Sequence, residues 1–203
     1  AHELKDDAGH SLDLVHRDMS PANVLISRTG VVKIVDFGIA KSKGRLHVTR
    51  ASGMVKGKTP YLSPEQIGGL GIDRRSDLFS LGVLLYVLAT GKHPFRGATE
   101  IQTLENIAIN APIPPSQVSP EVDPGLERII LKLLQKDPRQ RYATAAEVEA
   151  AVREEEATLA APPTNADVAA FVEKAVGEKL AERRKMLAAN LPARETPGRA
   201  KSN

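Results

Sequence analysis

Residues 14–25 read LVHRDMSPANVL, and this stretch determines how the rest of the chain is interpreted. It carries an acid, Asp18, and an amide, Asn23, five positions apart. Phosphoryl transfer needs a group that orients the attacking hydroxyl and groups that neutralise phosphate charge, with little covalent work by the protein. Asp18 suits the first task and Asn23 the second. The alternative is that both side chains only stabilise a turn.

Two short runs rich in β-branched residues follow, at 23–27 and 31–37, and the residues between them end in Gly30. This pattern predicts a β-hairpin with a glycine turn. The second run contains Asp36, a further oxygen donor of the kind that Mg²⁺ prefers. Residues 38–60 lack periodicity, and an irregular segment of that length is unusual unless it is functional.

The pattern beyond residue 60 is helical. Residues 77–90 are apolar nearly all round, which predicts a buried central helix. Residues 125–138 place five apolar side chains on one helical face, namely Leu126, Ile129, Ile130, Leu133 and Leu134. Thr144 can cap a further helix. We therefore expect a mostly helical α+β fold with a small β element.

Composition limits the function classes. The 203 residues carry 28 Lys and Arg against 25 Asp and Glu, a net charge of +3 that is too small to indicate nucleic-acid binding. The absence of Cys excludes disulfides and a thiolate nucleophile, and it fits a reducing, cytoplasmic compartment. The longest apolar run covers about 14 residues, whereas a membrane span needs about 20. We therefore expect no membrane segment.

Four motifs occur in a fixed order: HRDMSPAN at 16–23, DFG at 36–38, SPE at 63–65 and DLFSLG at 77–82. Together they resemble the H-R-D-x-x-x-x-N, D-F-G, A-P-E and D-x-x-S-x-G landmarks of eukaryotic-like (Hanks-type) bacterial serine/threonine protein kinases. The resemblance covers about residues 1–153. It implies the C-terminal lobe of a kinase domain with short β-hairpins, with the N-terminal lobe absent.

The resemblance and the residue pattern together predict a partial kinase domain at 1–156, a linker at 157–166, a helical tail at 167–190 and a disordered C-terminus at 191–203. It implies ATP-dependent phosphorylation of Ser and Thr in protein substrates, with ATP and Mg²⁺, or alternatively Mn²⁺, as cofactors. Two other functions stay open. One is a pseudokinase-like binding module without catalysis, and the other is a small-molecule phosphotransferase.

The resemblance also assigns roles to residues of the active site. Asp18 is the expected catalytic base, and Asn23 and Asp36 are the expected metal and nucleotide ligands. Leu25 is expected to pack under the adenine ring, although an ordinary core leucine would give the same pattern.

Other residues are expected to be structural or regulatory. Glu65 is expected to pair with Arg141, since an Arg–carboxylate fork forms a good buried pair. Asp77 is expected to accept backbone N–H bonds from the catalytic loop. The other role open to Asp77, which is compatible with the first, is to cap the helix that it opens, together with Ser76.

The resemblance implies that Arg17, which precedes the expected catalytic Asp18, mediates control by phosphorylation of the activation loop, and Thr49 and Ser52 are the candidate acceptors. A phosphate on either hydroxyl would pair with Arg17. The alternative is a solvated basic loop with incidental hydroxyl groups.

Two positions depart from the family pattern. Ser20 stands where serine/threonine kinases carry a lysine, and Lys58 stands where they carry the threonine that this lysine contacts. The pattern predicts a reciprocal exchange in which Lys58 reaches toward Asp18 and the phosphate, with Ser20 as its hydrogen-bond partner. The alternative is that Lys58 lies on the surface and Ser20 marks a partial loss of activity.

The glycine-rich loop, the strand lysine and its partner glutamate of a kinase should all precede Asp18, and 17 residues precede it in this chain. We therefore expect the isolated chain to have little or no kinase activity. We also expect its exposed lobe interface to promote self-association.

Overall fold

The fold is described here from a computed structural model, which describes residues 2–10, 12–37 and 59–190. The two strands are β1 (Val24–Ile26) and β2 (Val32–Ile34). The α-helices are α1 (Pro64–Gly68), α2 (Arg74–Thr90), α3 (Glu100–Ile109), α4 (Pro115–Val118), α5 (Pro124–Leu133), α6 (Ala145–Glu156) and α7 (Asn165–Asn190). Short 3-10 turns lie at Pro21–Asn23, Thr59–Tyr61 and Pro138–Gln140.

The predicted hairpin is confirmed: β1 and β2 pair in a two-stranded sheet. The Ser27 N–H donates to the Val31 carbonyl at 2.8 Å, and the Gly30 N–H donates to the Ser27 carbonyl at 3.0 Å. Gly30 has φ of 79°, a left-handed conformation that glycine adopts without a steric cost. Both strands are shorter than the sequence runs that predicted them.

The helix α2 lies at the centre of the core, as its all-round apolar pattern predicts. One cluster of buried residues contains Phe79, Val83, Tyr86, Phe95, Ile107, Ile130 and Leu134. A second contains Leu78, Ile129, Leu133, Tyr142 and Val148. Gly82 allows α2 and α5 to approach closely, because a Cβ atom at this position would lie 2.7 Å from the Cβ of Leu133.

Helix ends follow local capping rules. The Thr144 side chain accepts the Glu147 N–H and begins α6, as predicted. The start of α2 differs from its prediction: the helix begins at Arg74, and the Asp73 side chain caps it by accepting the Arg75 N–H at 2.8 Å. The sequence reasoning missed the first turn because Arg74, Arg75 and Ser76 interrupt the apolar pattern.

The chain divides into two compact units, one of residues 1–25 and 33–162 and the other of residues 26–32 and 163–203. The second unit contains the hairpin turn and α7, which begins two residues before the predicted tail. Within this unit Arg28 Nη2 lies 3.0 Å from Glu173 Oε2. The proposed C-terminal segment 191–203 lies outside the described residues.

In the part of the chain that the structure describes, none of the helices combines the length and the apolar character that a membrane crossing requires.

Candidate active site

The backbone of the HRD motif is bound by the carboxylate of Asp77. The His16 N–H donates to Asp77 Oδ2 at 2.7 Å, and the Arg17 N–H donates to Oδ1 at 2.8 Å. His2 Nε2 also lies 2.8 Å from Oδ2. Asp77 is nearly inaccessible to solvent, where hydrogen bonds to a charged group are strong. The contact with the loop that the sequence suggested for Asp77 is thus present, and the alternative that Asp77 caps α2 is wrong because Asp73 does so.

Arg17 is held from both sides in an uncommon conformation. Its φ is 61°, a left-handed value that costs a non-glycine residue about 1–3 kcal/mol. Gln66 Nε2 donates to the Arg17 carbonyl at 3.0 Å, opposite the bond from Asp77. Gln66 Oε1 also accepts the Ser63 N–H at 2.9 Å, which completes a capping box at the start of α1.

His16 connects the HRD motif to the segment that contains Asp36. Its Nε2 donates to the Val35 carbonyl at 2.9 Å, and its Nδ1 accepts the Asp18 N–H at 3.3 Å. These partners place the ring proton on Nε2, because a carbonyl can only accept. The ring is buried and packs at 4.8 Å from the ring of Phe37. His16 is thus a packed core residue, in agreement with a structural role.

Asn23 links the backbone of Asp18 to the backbone of the segment that contains Asp36. Its Nδ2 donates to the Asp18 carbonyl at 2.7 Å, and its own carbonyl accepts the Val35 N–H at 2.9 Å. The first bond fixes Asn23 against the residue expected to act as a base. The second bond fixes it beside the chain that enters Asp36, whose φ of 60° turns the backbone sharply at this point.

Ser20 is buried, with 3% of its surface exposed. Its Oγ has no hydrogen-bond partner among the residues that the structure describes. Burying a hydroxyl without a hydrogen bond lowers stability by about 1–3 kcal/mol. No contact among the described residues explains why Ser20 is buried in this way.

Glu65 and Arg141 form a buried pair with two hydrogen bonds. Arg141 Nη1 donates to Oε1 at 2.8 Å, and Nη2 donates to Oε2 at 2.9 Å. The contact that the sequence suggested is therefore present. Burial raises the pKa of Glu65, but the hydrogen bonds from Arg141 and Ser76 outweigh it and lower the pKa below its usual value of 4.5. Arg141 also donates to three backbone carbonyls, those of Gln135, Lys136 and Arg75.

The remaining predicted site residues are Leu25, Thr49, Ser52 and Lys58. Leu25 lies on β1 with 54% of its surface exposed, so it is not a core leucine. Thr49, Ser52 and Lys58 lie outside the described residues.

Two residues around the HRD motif were missed by the sequence reasoning. Gln66 could have been found, because Ser63 and Gln66 have the spacing of a capping box just after a proline-containing turn. His2 gave no such signal, because its contact with Asp77 joins residues that are far apart in the chain.

The fold and these contacts agree with one family, and the comparison with known proteins shows it directly. The protein kinase domain matches residues 7–152, so the chain belongs to the protein kinase domain family. Its resemblance to the Hanks-type kinases of bacteria is confirmed by this match together with bacterial relatives that are named protein kinases.

Three relatives illustrate the match. Tyrosine-protein kinase MasK of Myxococcus xanthus is 43% identical over 145 residues, covering 71% of this chain and 22% of MasK. Serine/threonine-protein kinase PknB of Mycobacterium leprae is 42% identical over 141 residues, covering 70% and 23%. Probable serine/threonine-protein kinase SCO3848 of Streptomyces coelicolor is 42% identical over 161 residues, covering 79% and 24%. The chain thus spans less than a quarter of the length of these relatives.

Proposed function

We propose that this chain supplies the catalytic loop and the acceptor side of a protein kinase that transfers the γ-phosphoryl group of ATP to hydroxyl side chains of proteins. The observation that carries the proposal is the bound loop from His16 to Asn23. Asp77 binds its start and His16 connects it to the Asp36 segment, while Asn23 binds the backbone carbonyl of Asp18. Catalysis of phosphoryl transfer is mainly positioning, and this loop is positioned at both ends.

Within this proposal, Asp18 orients the acceptor hydroxyl and takes its proton as the oxygen attacks phosphorus. Asn23 and Asp36 are the residues that would bind Mg²⁺, or Mn²⁺ in its place. Since Asn23 uses its Nδ2 for Asp18, its Oδ1 is the atom suited to a cation. An amide and a carboxylate oxygen suit Mg²⁺, which takes few protein ligands beside water and phosphate. The bound cation would neutralise charge on the phosphates. Leu25 offers an exposed apolar surface on which the adenine ring would pack.

We further propose the exchange between Ser20 and Lys58. In this arrangement the Lys58 ammonium lies near Asp18 and the transferred phosphate, and Ser20 Oγ is its hydrogen-bond partner. The support is that Ser20 is buried while its Oγ finds no partner among the described residues. A lysine on a flexible four-carbon stem suits such a reach.

Arg17 is proposed to bind a phosphate on Thr49 or Ser52. The support is the fixed Arg17 backbone, bound at its N–H by Asp77 and at its carbonyl by Gln66. A guanidinium on a fixed backbone loses less freedom when it binds a phosphate. Such a bond would order the loop and make activity depend on phosphorylation.

The class of acceptor is the next point to test. Two of the three relatives above are named serine/threonine kinases and one is named a tyrosine kinase. The experiment is to incubate the complete protein that contains this chain with γ-labelled ATP, Mg²⁺, a mixed protein substrate and a set of small alcohols. The labelled products are then separated, and the phosphoamino acids of the protein fraction are analysed. We expect phosphoserine and phosphothreonine. Label on a small alcohol alone would support the small-molecule phosphotransferase, and no label at all would support the binding module.

Three further predictions concern the activity, the self-association and the location of the chain. Residues 1–203 alone are expected to show little or no transfer, because phosphate-binding parts of a kinase precede the catalytic loop. The exposed apolar residues of the hairpin, Leu25, Ile26, Val32 and Ile34, are expected to favour self-association of the chain. A cytoplasmic location is expected because ATP is available in that compartment and because a chain without Cys fits its reducing conditions.

A further inference from the structure

The turn Thr59–Tyr61 is separated by one residue from Ser63, the cap of α1. Two side chains bind carbonyl groups of this turn. His93 Nε2 donates to the Pro60 carbonyl at 2.9 Å. Ser80 Oγ donates to the Tyr61 carbonyl at 2.6 Å. Two successive carbonyls of one turn are thus held by side chains from different parts of the fold.

His93 uses both of its ring nitrogens. Nε2 carries the proton that is donated to Pro60, and Nδ1 accepts the Phe95 N–H at 3.1 Å. The Tyr61 ring packs edge-on at 5.7 Å from the imidazole. The turn is therefore connected through one imidazole to the loop that follows α2.

We propose that His93 is a positioning residue for the acceptor: it holds the Thr59–Tyr61 turn in the shape that receives the acceptor segment, and it does so only as a neutral imidazole. This inference rests on the proposed function, in which the acceptor hydroxyl lies at Asp18. The turn leads into the Ser63 cap of α1, and Gln66 of that helix binds the Arg17 carbonyl beside Asp18. His93 itself touches neither acceptor nor nucleotide in this proposal. It acts through the carbonyl of Pro60.

The hydrogen bonds explain why the neutral form is required. A proton added to Nδ1 would face the Phe95 N–H, and two donors cannot share a hydrogen bond. Burial lowers the pKa of His93 below 6.5, and the nearby Arg96 lowers it further, while the Pro60 carbonyl opposes both. The other titratable groups on this side are the phenol of Tyr61, which packs on His93, and Lys136, whose Nζ lies 3.8 Å from the centre of the Phe95 ring.

The kinetic test compares His93→Phe with the wild type in the complete protein, using a peptide acceptor. His93→Phe keeps an aromatic ring but loses both hydrogen bonds. We expect the KM for the peptide to rise about tenfold, which corresponds to the loss of about one good hydrogen bond. The KM for ATP should stay unchanged. The matched control is His10→Phe, because His10 is a solvent-exposed histidine paired with Asp6. It should leave both KM values unchanged.

The pH profile separates positioning from general damage to the fold. The wild-type KM for the peptide should rise as the pH falls through the lowered pKa of His93, and this rise should be absent in His93→Phe. Equal KM values for the peptide in the two proteins, or the same acid-dependent rise in both, would overturn the proposal.

A second measurement does not depend on catalysis. Amide hydrogen exchange in the 203-residue chain should be faster at Tyr61, Leu62 and Phe95 in His93→Phe than in the wild type. If the wild-type protein transfers no phosphate to any acceptor, the proposed function fails, and the role of His93 in receiving an acceptor fails with it. Faster exchange at these amides would then show that His93 still holds the turn. Unchanged exchange would overturn the contact itself.

Discussion

Asp77 holds Arg17 in a left-handed backbone conformation: its Oδ1 accepts the Arg17 N–H at 2.8 Å, while Arg17 has φ of 61°. The second oxygen of Asp77 accepts the N–H of His16. The conformation is costly for arginine, so it depends on these bonds and on the bond from Gln66. The position of Asp18, the next residue, follows from that of Arg17. A helix residue that is distant in sequence thus sets the geometry of the catalytic loop.

Replacement of Asp77 tests this relationship. Asp77→Ala leaves one buried and one half-buried backbone N–H group without an acceptor, and we expect it to lower the free energy of unfolding by about 2–4 kcal/mol. Asp77→Asn keeps one acceptor oxygen and should cost about half as much. Urea unfolding followed by circular dichroism measures both. A free energy for Asp77→Ala within 0.5 kcal/mol of the wild type, a change typical of surface substitutions, would show that the bonds are not needed.

The buried pair of Glu65 and Arg141 is expected to behave as a unit. Arg141→Met alone leaves the Glu65 carboxylate buried without its partner and should cost about 3–5 kcal/mol. The double variant Glu65→Gln with Arg141→Met should cost less than the sum of the two single variants, with a coupling energy of about 2 kcal/mol. Arg139→Met is the matched control, because Arg139 forms a similar pair with Asp137 at the surface. That variant should change stability little. Additive single effects would contradict the prediction.

Glu65 also predicts a pH dependence. Its pKa is lower in the folded chain than its ordinary 4.5, so the unfolded chain binds the proton first as the pH falls. The stability that the carboxylate contributes is therefore complete above pH 4.5 and is lost as the pH falls through the folded pKa. The difference in unfolding free energy between the wild type and Glu65→Gln should shrink between pH 6 and pH 3. A difference that stays constant over this range would exclude the effect.

The exchange of Ser20 and Lys58 predicts a pattern in kcat of the complete protein. Lys58→Ala removes the amine and should lower kcat at least about tenfold, since a cation at the phosphate stabilises the charge of the transition state. Ser20→Lys combined with Lys58→Thr restores the usual family arrangement and should recover much of the activity. Lys56→Ala is the control for loss of a neighbouring charge. If kcat of Lys58→Ala equals that of the wild type, the exchange is wrong.

Much of the fold could be predicted from local patterns. The hairpin, the central α2 and the face of α5 follow from residue periodicity and turn residues, because those signals arise between neighbours in the chain. The start of α2 was misplaced because its first turn is polar, so periodicity gives no sign of it. Asp73 is an ordinary N-cap residue, but the chain holds many such acids, and only the fold selects it.

The site was predictable only where a motif names the residue. Asp18, Asn23 and Asp36 were selected by motif. The bond from Gln66 to the Arg17 carbonyl, by contrast, joins residues 49 positions apart, and the bond between His2 and Asp77 joins residues 75 positions apart. Such contacts leave no periodic trace. The burial of Ser20 could not be predicted from the sequence either, because a serine in a loop is ordinarily exposed.

The most direct test of the central claim is the rate of γ-phosphoryl transfer to a protein acceptor by the complete protein and by its Asp18→Asn variant. Loss of a positioned general base should reduce kcat by about 10²–10⁴. Asp13→Asn, a change of the same kind just outside the HRD motif, should keep the wild-type rate. Transfer that is lost in Asp18→Asn and kept in Asp13→Asn is the expected result. Equal transfer by the wild type and Asp18→Asn would contradict the assignment of the catalytic loop.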